Sequence, residues 1–270
     1  AVYVEMIRNT PLLLQILVWY SGVFTLLPPP RQALEFGFGA GILSNRALQV
    51  AAPIAGELLW VSCAALLAGV ALTLIIARQA RRLRDETGEA PAWGWKALFL
   101  IVAAPLVVFL ATGSPLSWEI PELKGFNYQG GYALPPPFMA LLLALTIYTS
   151  AFIAELVRAG IQSVGRGQTE AAYSLGLPAG PTLRLVIIPQ AMRAIIPPLI
   201  SQYLNIVKNS SLGVAIAYPD LVGVWMQTSL NQSGRAIEIV ATTMLFYMTV
   251  SLAISALLNV YNRRVQLKER

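Results

Sequence analysis

The chain is 270 residues long, with 56% hydrophobic and 12% charged positions. That balance excludes a soluble globular domain and points to a membrane protein that crosses the bilayer several times. There is no histidine and a single cysteine, Cys63, which excludes disulfide frameworks and nearly every Cys/His metal or nucleophile arrangement; the formal charge of +6 falls in particular loops and not on one nucleic-acid-binding face.

The chain opens on Ala1 without an initiator methionine or a cleavable signal pattern, and the expectation is that an upstream part is missing. Residues 11–27 form the first apolar span. The Pro- and Gly-rich stretch after it reads as a loop. A second span covers 54–77 and is followed by the densest basic loop, with Arg78, Arg81, Arg82, Arg84 and Lys96, which the positive-inside rule places in the cytoplasm. A third span, 97–112, contains Pro105, and the loop behind it carries Glu119 and Glu122 against a single Lys124. The fourth span covers 138–157. The fifth, 194–217, is broken by Pro197-Pro198 and by the polar run Lys208-Asn209-Ser210-Ser211, and the sixth, 236–260, leads into a basic tail. Six crossings return that tail to the cytoplasmic side, in agreement with the charge pattern.

Between the fourth and fifth spans lies a polar, glycine-punctuated stretch, residues 165–189. Two short helices are predicted there. Thr169 is the expected N-cap of the first, with Glu170 in its first turn, and Gly176 supplies the left-handed C-terminal position. Pro181 is expected to open the second. The spacing from Glu170-Ala171-Ala172 through Gly176 to Pro189 resembles the EAA loop of permease subunits in binding-protein-dependent ABC importers. Tyr3–Gln15, Tyr148–Ile161 and Lys208–Leu212, with Tyr218–Leu221, resemble further segments of polar amino-acid permeases. An inserted segment, 28–135, with two extra spans and with Gly125-Phe126-Asn127 and Gly130-Gly131, resembles the longer general L-amino-acid permeases.

The resemblance implies an all-α fold: one polytopic transmembrane domain, 1–270, of the type I ABC importer permease kind, with residues 165–189 as a cytoplasmic coupling loop. Thr169, Glu170, Ala171, Ala172, Tyr173, Leu175, Gly176, Leu177 and Pro189 would then dock an ATPase dimer. Implied as well are a second permease subunit, related or identical, a periplasmic amino-acid-binding protein, a place in the bacterial inner membrane with the C-terminus cytoplasmic, and L-amino acids as cargo. The residues agree on energetics. No G-x-x-x-x-G-K-[ST] loop occurs, so ATP and magnesium belong to the partner, and the chain is expected to bind no cofactor or metal and to carry no catalytic residue.

Polar groups at membrane depth mark the expected substrate path, because unsatisfied ones are costly in hydrocarbon and face a protein or watery interior. In the fourth span Tyr148, Phe152 and Glu155 recur at helical spacing beside Thr149. Glu155 can meet a substrate ammonium group or simply pair with Arg158. In the fifth, Asn205, Lys208, Asn209, Ser210 and Ser211 follow the proline pair; Lys208 can attract a carboxylate or snorkel to the interface. A secondary transporter or channel without an ATPase is the alternative reading.

Overall fold

The computed structural model describes residues 2–37, 39–87, 99–114 and 116–265. The described residues form two compact units. One is helical and comprises the residues up to Pro29, Ser44–Ala47 and those from Leu134 onward. The other, Pro30–Leu43 with Leu48–Ala133, combines helices with small sheets.

The helical unit begins with α1 (Val2–Asn9), which stops ahead of Pro11; that proline caps α2 (Leu12–Leu17). The buried Gln15 side chain fastens the joint, donating to the Ile7 carbonyl at 2.9 Å and the Thr10 carbonyl at 3.1 Å. It thereby satisfies carbonyls that the end of α1 leaves open. A π turn, Val18–Val23, and a 3-10 turn, Phe24–Leu26, extend α2.

In the second unit β1 (Leu34–Phe36), β2 (Gly41–Leu43) and β3 (Leu48–Val50) run antiparallel. Next, β4 (Ala52–Ala55) leads into the long helix α3 (Leu59–Thr87), and α4 (Ala104–Ala111) packs against α3. The chain then forms β5 (Leu116–Glu119), paired with β4, and a hairpin of β6 (Glu122–Lys124) and β7 (Asn127–Gln129), before β8 (Tyr132–Leu134) joins β3. Gly125, at φ +69°, opens the two-residue turn of the hairpin. The Tyr128 hydroxyl donates to Glu35 across 3.4 Å, and partial burial together with the Glu35 charge holds that phenol above its ordinary pKa. None of this strand structure was anticipated from the Pro- and Gly-rich loops.

The helical unit resumes with α5 (Pro136–Gln162), opened by prolines in its first turn where no intrahelical donor is needed. Then come α6 (Arg166–Ser174), α7 (Ala179–Thr182), a π turn (Leu183–Ile187) and α8 (Ile188–Asn209), which tightens into a 3-10 turn, Ser210–Ile216. Asp220 caps the following π turn, Val222–Gln227, by accepting the Gly223 N–H at 2.7 Å. Helices α9 (Thr228–Ser233) and α10 (Ala236–Val265) complete the described chain.

Among the described residues four helices are long and apolar enough to cross a membrane: Leu59–Ala80, Pro136–Gln162, Ala179–Ile216 and Ala236–Val260. Two of the six expected spans are shorter, as Leu12–Leu26 and Ile101–Ala111. The expected second span began at 54, but residues 54 and 55 belong to β4, and its helix continues past 77 into the basic loop as far as Thr87. Residues 97 and 98 of the expected third span and Lys96, Lys268 and Arg270 lie outside the described residues. The fifth span differs most. Pro197 and Pro198 lie inside a continuous helix, and the apolar helix starts fifteen residues early, at Ala179 instead of 194. The proline pair removes two donors without stopping the helix, because packing of α8 against α5 and α10 supports it.

Candidate transport site and coupling loop

The loop between α5 and α8 is a tight helical elbow. Its first arm, α6, starts at Arg166 with Gly165 as the N-cap residue, so Thr169 lies inside the helix and is not its cap. The chain already turns helical once the glycine after Val164 frees it from α5, three residues before threonine could act. At the other end Gly176 adopts φ +77°, with its N–H donating to the Tyr173 carbonyl at 2.9 Å and the Leu177 N–H to Ala172 at 3.1 Å. This is a Schellman ending, which consumes the carbonyls that a helix end leaves free.

The second arm begins at Ala179 with Pro178 as the N-cap residue, so Pro181 stands third in α7 instead of opening it. Its missing N–H still falls in the first turn, where no bond is lost. Buried Thr182 donates to the Leu177 carbonyl at 3.3 Å, and Gln190 donates to Gln168 at 3.0 Å. These two bonds close the elbow.

Of the expected docking residues, Ala172 points inward at 3% exposure, whereas Tyr173 is 52% and Leu175 82% exposed. Glu170 accepts the Ser174 hydroxyl on its backbone carbonyl. Pro189 is the second residue of α8, at the root of the second arm.

Above the elbow α5 and α8 cross closely. A Cβ on Gly160 would stand 2.2 Å from Ile195 Cγ1, and Ala144, Ala151 and Ala191 are buried. On α5 the Tyr148 and Phe152 rings meet at a tilt of 52° with their centres 4.9 Å apart, Thr149 is buried, and the Arg8 guanidinium lies 5.3 Å from the centre of the Phe152 ring. Glu155 is bound to Arg158 by two hydrogen bonds, to Nε at 3.1 Å and to Nη2. Of the two roles left open for Glu155, the geometry realises the pairing.

At the end of α8 the helix narrows from α to 3-10 at Ser210. The Ser210 and Ser211 hydroxyls donate to the carbonyls of Val207 and Lys208, at 2.8 Å and 2.7 Å. Lys208 and Ser211 line a cavity of about 580 Å³ together with Leu204, Val222 and residues of α10. Beside Met244, Met248 and Leu252, α10 contributes Thr243, Tyr247, Ser251 and Ser255, four polar residues spaced by four. That spacing lays them along one face of the helix. The Ser251 hydroxyl is buried and without a hydrogen-bond partner among the described residues.

These four residues were missed in the sequence, although a polar residue every fourth position in the last span is a legible signal. Asn205 is exposed, and Asn209 and Ser210 are half-buried beside the cavity lining. The Tyr148–Phe152 ring pair is not part of that lining, and Glu155 lies at a different cavity. The expected path residues of α5 therefore do not line the Lys208 cavity.

Residues 69–267 match the family described as the binding-protein-dependent transport system inner membrane component. The chain belongs to this family. It is the permease subunit of an ATP-driven importer whose ATPase is a separate subunit. A permease protein of Escherichia coli K12, YhdX, is 50% identical over 100% of this chain and 68% of its own length. The general L-amino acid transport system permease protein AapQ of Rhizobium johnstonii is 46% identical over 100% of this chain and 67% of its own. The glutamate/glutamine/aspartate/asparagine transport system permease protein BztB of Rhodobacter capsulatus is 41% identical over 100% and 70%. A solved structure, the crystal structure of an amino acid ABC transporter with histidines, is 28% identical and covers 76% of this chain and 89% of its own, with a TM-score of 0.45.

Proposed function

We propose that this permease conducts L-amino acids through the cavity at the end of α8. The observation that carries the reading is the lining itself. One ammonium group, Lys208, faces the space together with the hydroxyl-bearing residues Ser211, Thr243, Tyr247, Ser251 and Ser255. A cation among neutral hydrogen-bonding groups, in a largely apolar wall, suits a small solute that carries a carboxylate, and about 580 Å³ is ample for one amino acid. Relatives named for amino-acid transport support the substrate class.

In this reading Tyr173 and Leu175 on the elbow dock the ATPase dimer, a second permease subunit completes the pathway, and a periplasmic amino-acid-binding protein delivers cargo. The basic residues Arg158, Arg166, Arg184 and Arg193 around the elbow support a cytoplasmic position for it, and with it for the C-terminus. ATP-driven closure of the ATPases would move the elbow, and α8 would carry that movement to Lys208. The chain itself needs no cofactor.

The deciding experiment is reconstitution of this permease with its partner permease, the ATPase and the binding protein in vesicles. Uptake of radiolabelled L-amino acids should require both ATP and the binding protein. Uptake that persists after ATP depletion would instead assign the chain to transport driven by an ion gradient.

A further inference from the structure

A second cavity, of about 460 Å³, opens between α1 and α5, within the helical unit and apart from the Lys208 cavity. Val4, Glu5 and Arg8 line it from α1, and Ala154, Glu155 and Arg158 from α5. Both helices present the same short pattern, an acid followed three residues later by arginine: Glu5-Met6-Ile7-Arg8 and Glu155-Leu156-Val157-Arg158. Three residues is nearly one helical turn, so each pair shows both of its charges to the same side. Two acids and two arginines thus surround one space.

The four groups are not equivalent. Glu155 is committed to Arg158, whose Nη1 also donates to Gln162 at 3.1 Å, so that guanidinium is held in place from two sides. Arg8 is held over the Phe152 ring. Glu5 makes no ion pair among the described residues. The helix that carries Glu5 and Arg8 is itself fixed on α5, with the Tyr3 hydroxyl within 3.5 Å of Ser150 Oγ and the buried Gln15 clamping the end of α1. The site therefore offers two positioned guanidinium groups and one unpaired carboxylate.

A simple anion entering this space meets two carboxylates, and a simple cation meets two guanidinium groups. Only a molecule with both signs a few ångströms apart is matched by every group, and guanidinium is the geometry best suited to a carboxylate. Beyond the charges the lining offers only Val4 and Ala154, which leaves no chemistry for telling one side chain from another. The position also sets this site apart from the first. Along their helices, Arg158 lies about 3 Å and Lys208 about 20 Å from the Gly160–Ile195 crossing, and Arg158 is on the stretch of α5 that leads directly into the elbow.

We propose that this cavity is a second, elbow-side site for the zwitterionic backbone of a free L-amino acid. Arg8 and Arg158 receive the carboxylate and Glu5 the ammonium group, while Glu155 positions Arg158. The proposal rests on the amino-acid reading above and deepens it: cargo accumulated on the elbow side of the membrane occupies the site and slows further import, whatever its side chain.

The test uses the complete transporter in phosphatidylcholine/phosphatidylglycerol vesicles with ATP inside. Uptake of a radiolabelled L-amino-acid mixture is compared with the lumen empty or preloaded with about 10 mM L-alanine, L-alaninamide or L-lactate, a concentration above the micromolar-to-millimolar range of ordinary small-molecule binding. Luminal alanine should cut the rate at least about threefold, and alaninamide and lactate, which each lack one of the two charges, should not. In Glu5→Gln and Arg8→Gln the ratio of rates with and without luminal alanine should return to one. Inhibition that persists in both variants as in the wild type, or that alaninamide or lactate reproduces, overturns the proposal. So does loss of the alanine effect when phosphatidylethanolamine is added to the vesicles, since the occupant would then be a lipid headgroup. A wild-type transporter that imports none of the mixture fails the amino-acid reading itself, a result distinct from uptake that simply ignores the lumen.

Discussion

Lys208 illustrates how much a single residue can reveal and where it stops. Its place in a polar run was legible, because a lysine, an asparagine and two serines cannot sit in hydrocarbon without a purpose. Its neighbours on α10 were not, because they come from a segment forty residues later whose composition is otherwise apolar. Replacing Lys208 with alanine should weaken apparent affinity for amino acids about tenfold, the value of roughly one charge-assisted contact, with ATPase association intact; unchanged uptake kinetics would remove it from the path. Gly176 makes the complementary case. Its left-handed backbone, φ +77°, was expected from its position after two turns of helix, and Gly176→Ala should cost about 1 kcal/mol locally. Since no atom would obstruct a new Cβ there, the loss should appear as weaker ATPase binding in co-purification and not as global unfolding. Thr169 shows the opposite outcome. A threonine before Glu-Ala-Ala has the chemistry of a cap, but Gly165 ends the preceding turn first, and helix start signals compete by position as well as by type.

At the scale of elements, the long apolar helices were readable because 3.6-residue packing tolerates broad apolar runs, and length alone marks them. The strands of the second unit were not, since three-residue strands are too short for alternation to register and their ordering depends on partners distant in sequence, such as β4 with β5. The apolar helix through α8 was misread at its start, because the polar elbow was taken to run to Pro189 and the span to begin only at 194, whereas a proline in the first turn of a helix costs it no bond and α8 opens at Ile188. The crossing of α5 with α8 is the element contact most open to test. Gly160→Ala would place a methyl group 2.2 Å from Ile195 Cγ1, close to the branch point of a side chain that is itself buried. Such overpacking costs roughly 1–3 kcal/mol, so the variant should lose thermal stability in detergent, and Ile195→Ala, which removes Cγ1, should cost less in the Gly160→Ala background than alone. Purely additive costs would mean that the two helices are not in close contact there.

For the whole molecule, the exposed elbow and the cavity at the end of α8 are joined by one uninterrupted helix, Ala179–Ile216, 38 residues long. Cysteines introduced at Tyr173 or Leu177, in a Cys63→Ser background, should cross-link to the ATPase subunit; their failure to do so in an active complex would separate this elbow from the motor. The helix is about 57 Å from end to end, nearly twice the thickness of the hydrocarbon core. The pair Pro197-Pro198 stands near its middle, inside the continuous helix. From there the arm toward the elbow is about 27 Å and the arm toward Ser211 about 20 Å. A rod supported near its middle behaves as a see-saw. A sideways displacement of the elbow would reappear at Lys208 reversed in direction and reduced to about three quarters, so that the motor drawing one end inward would swing the cavity outward.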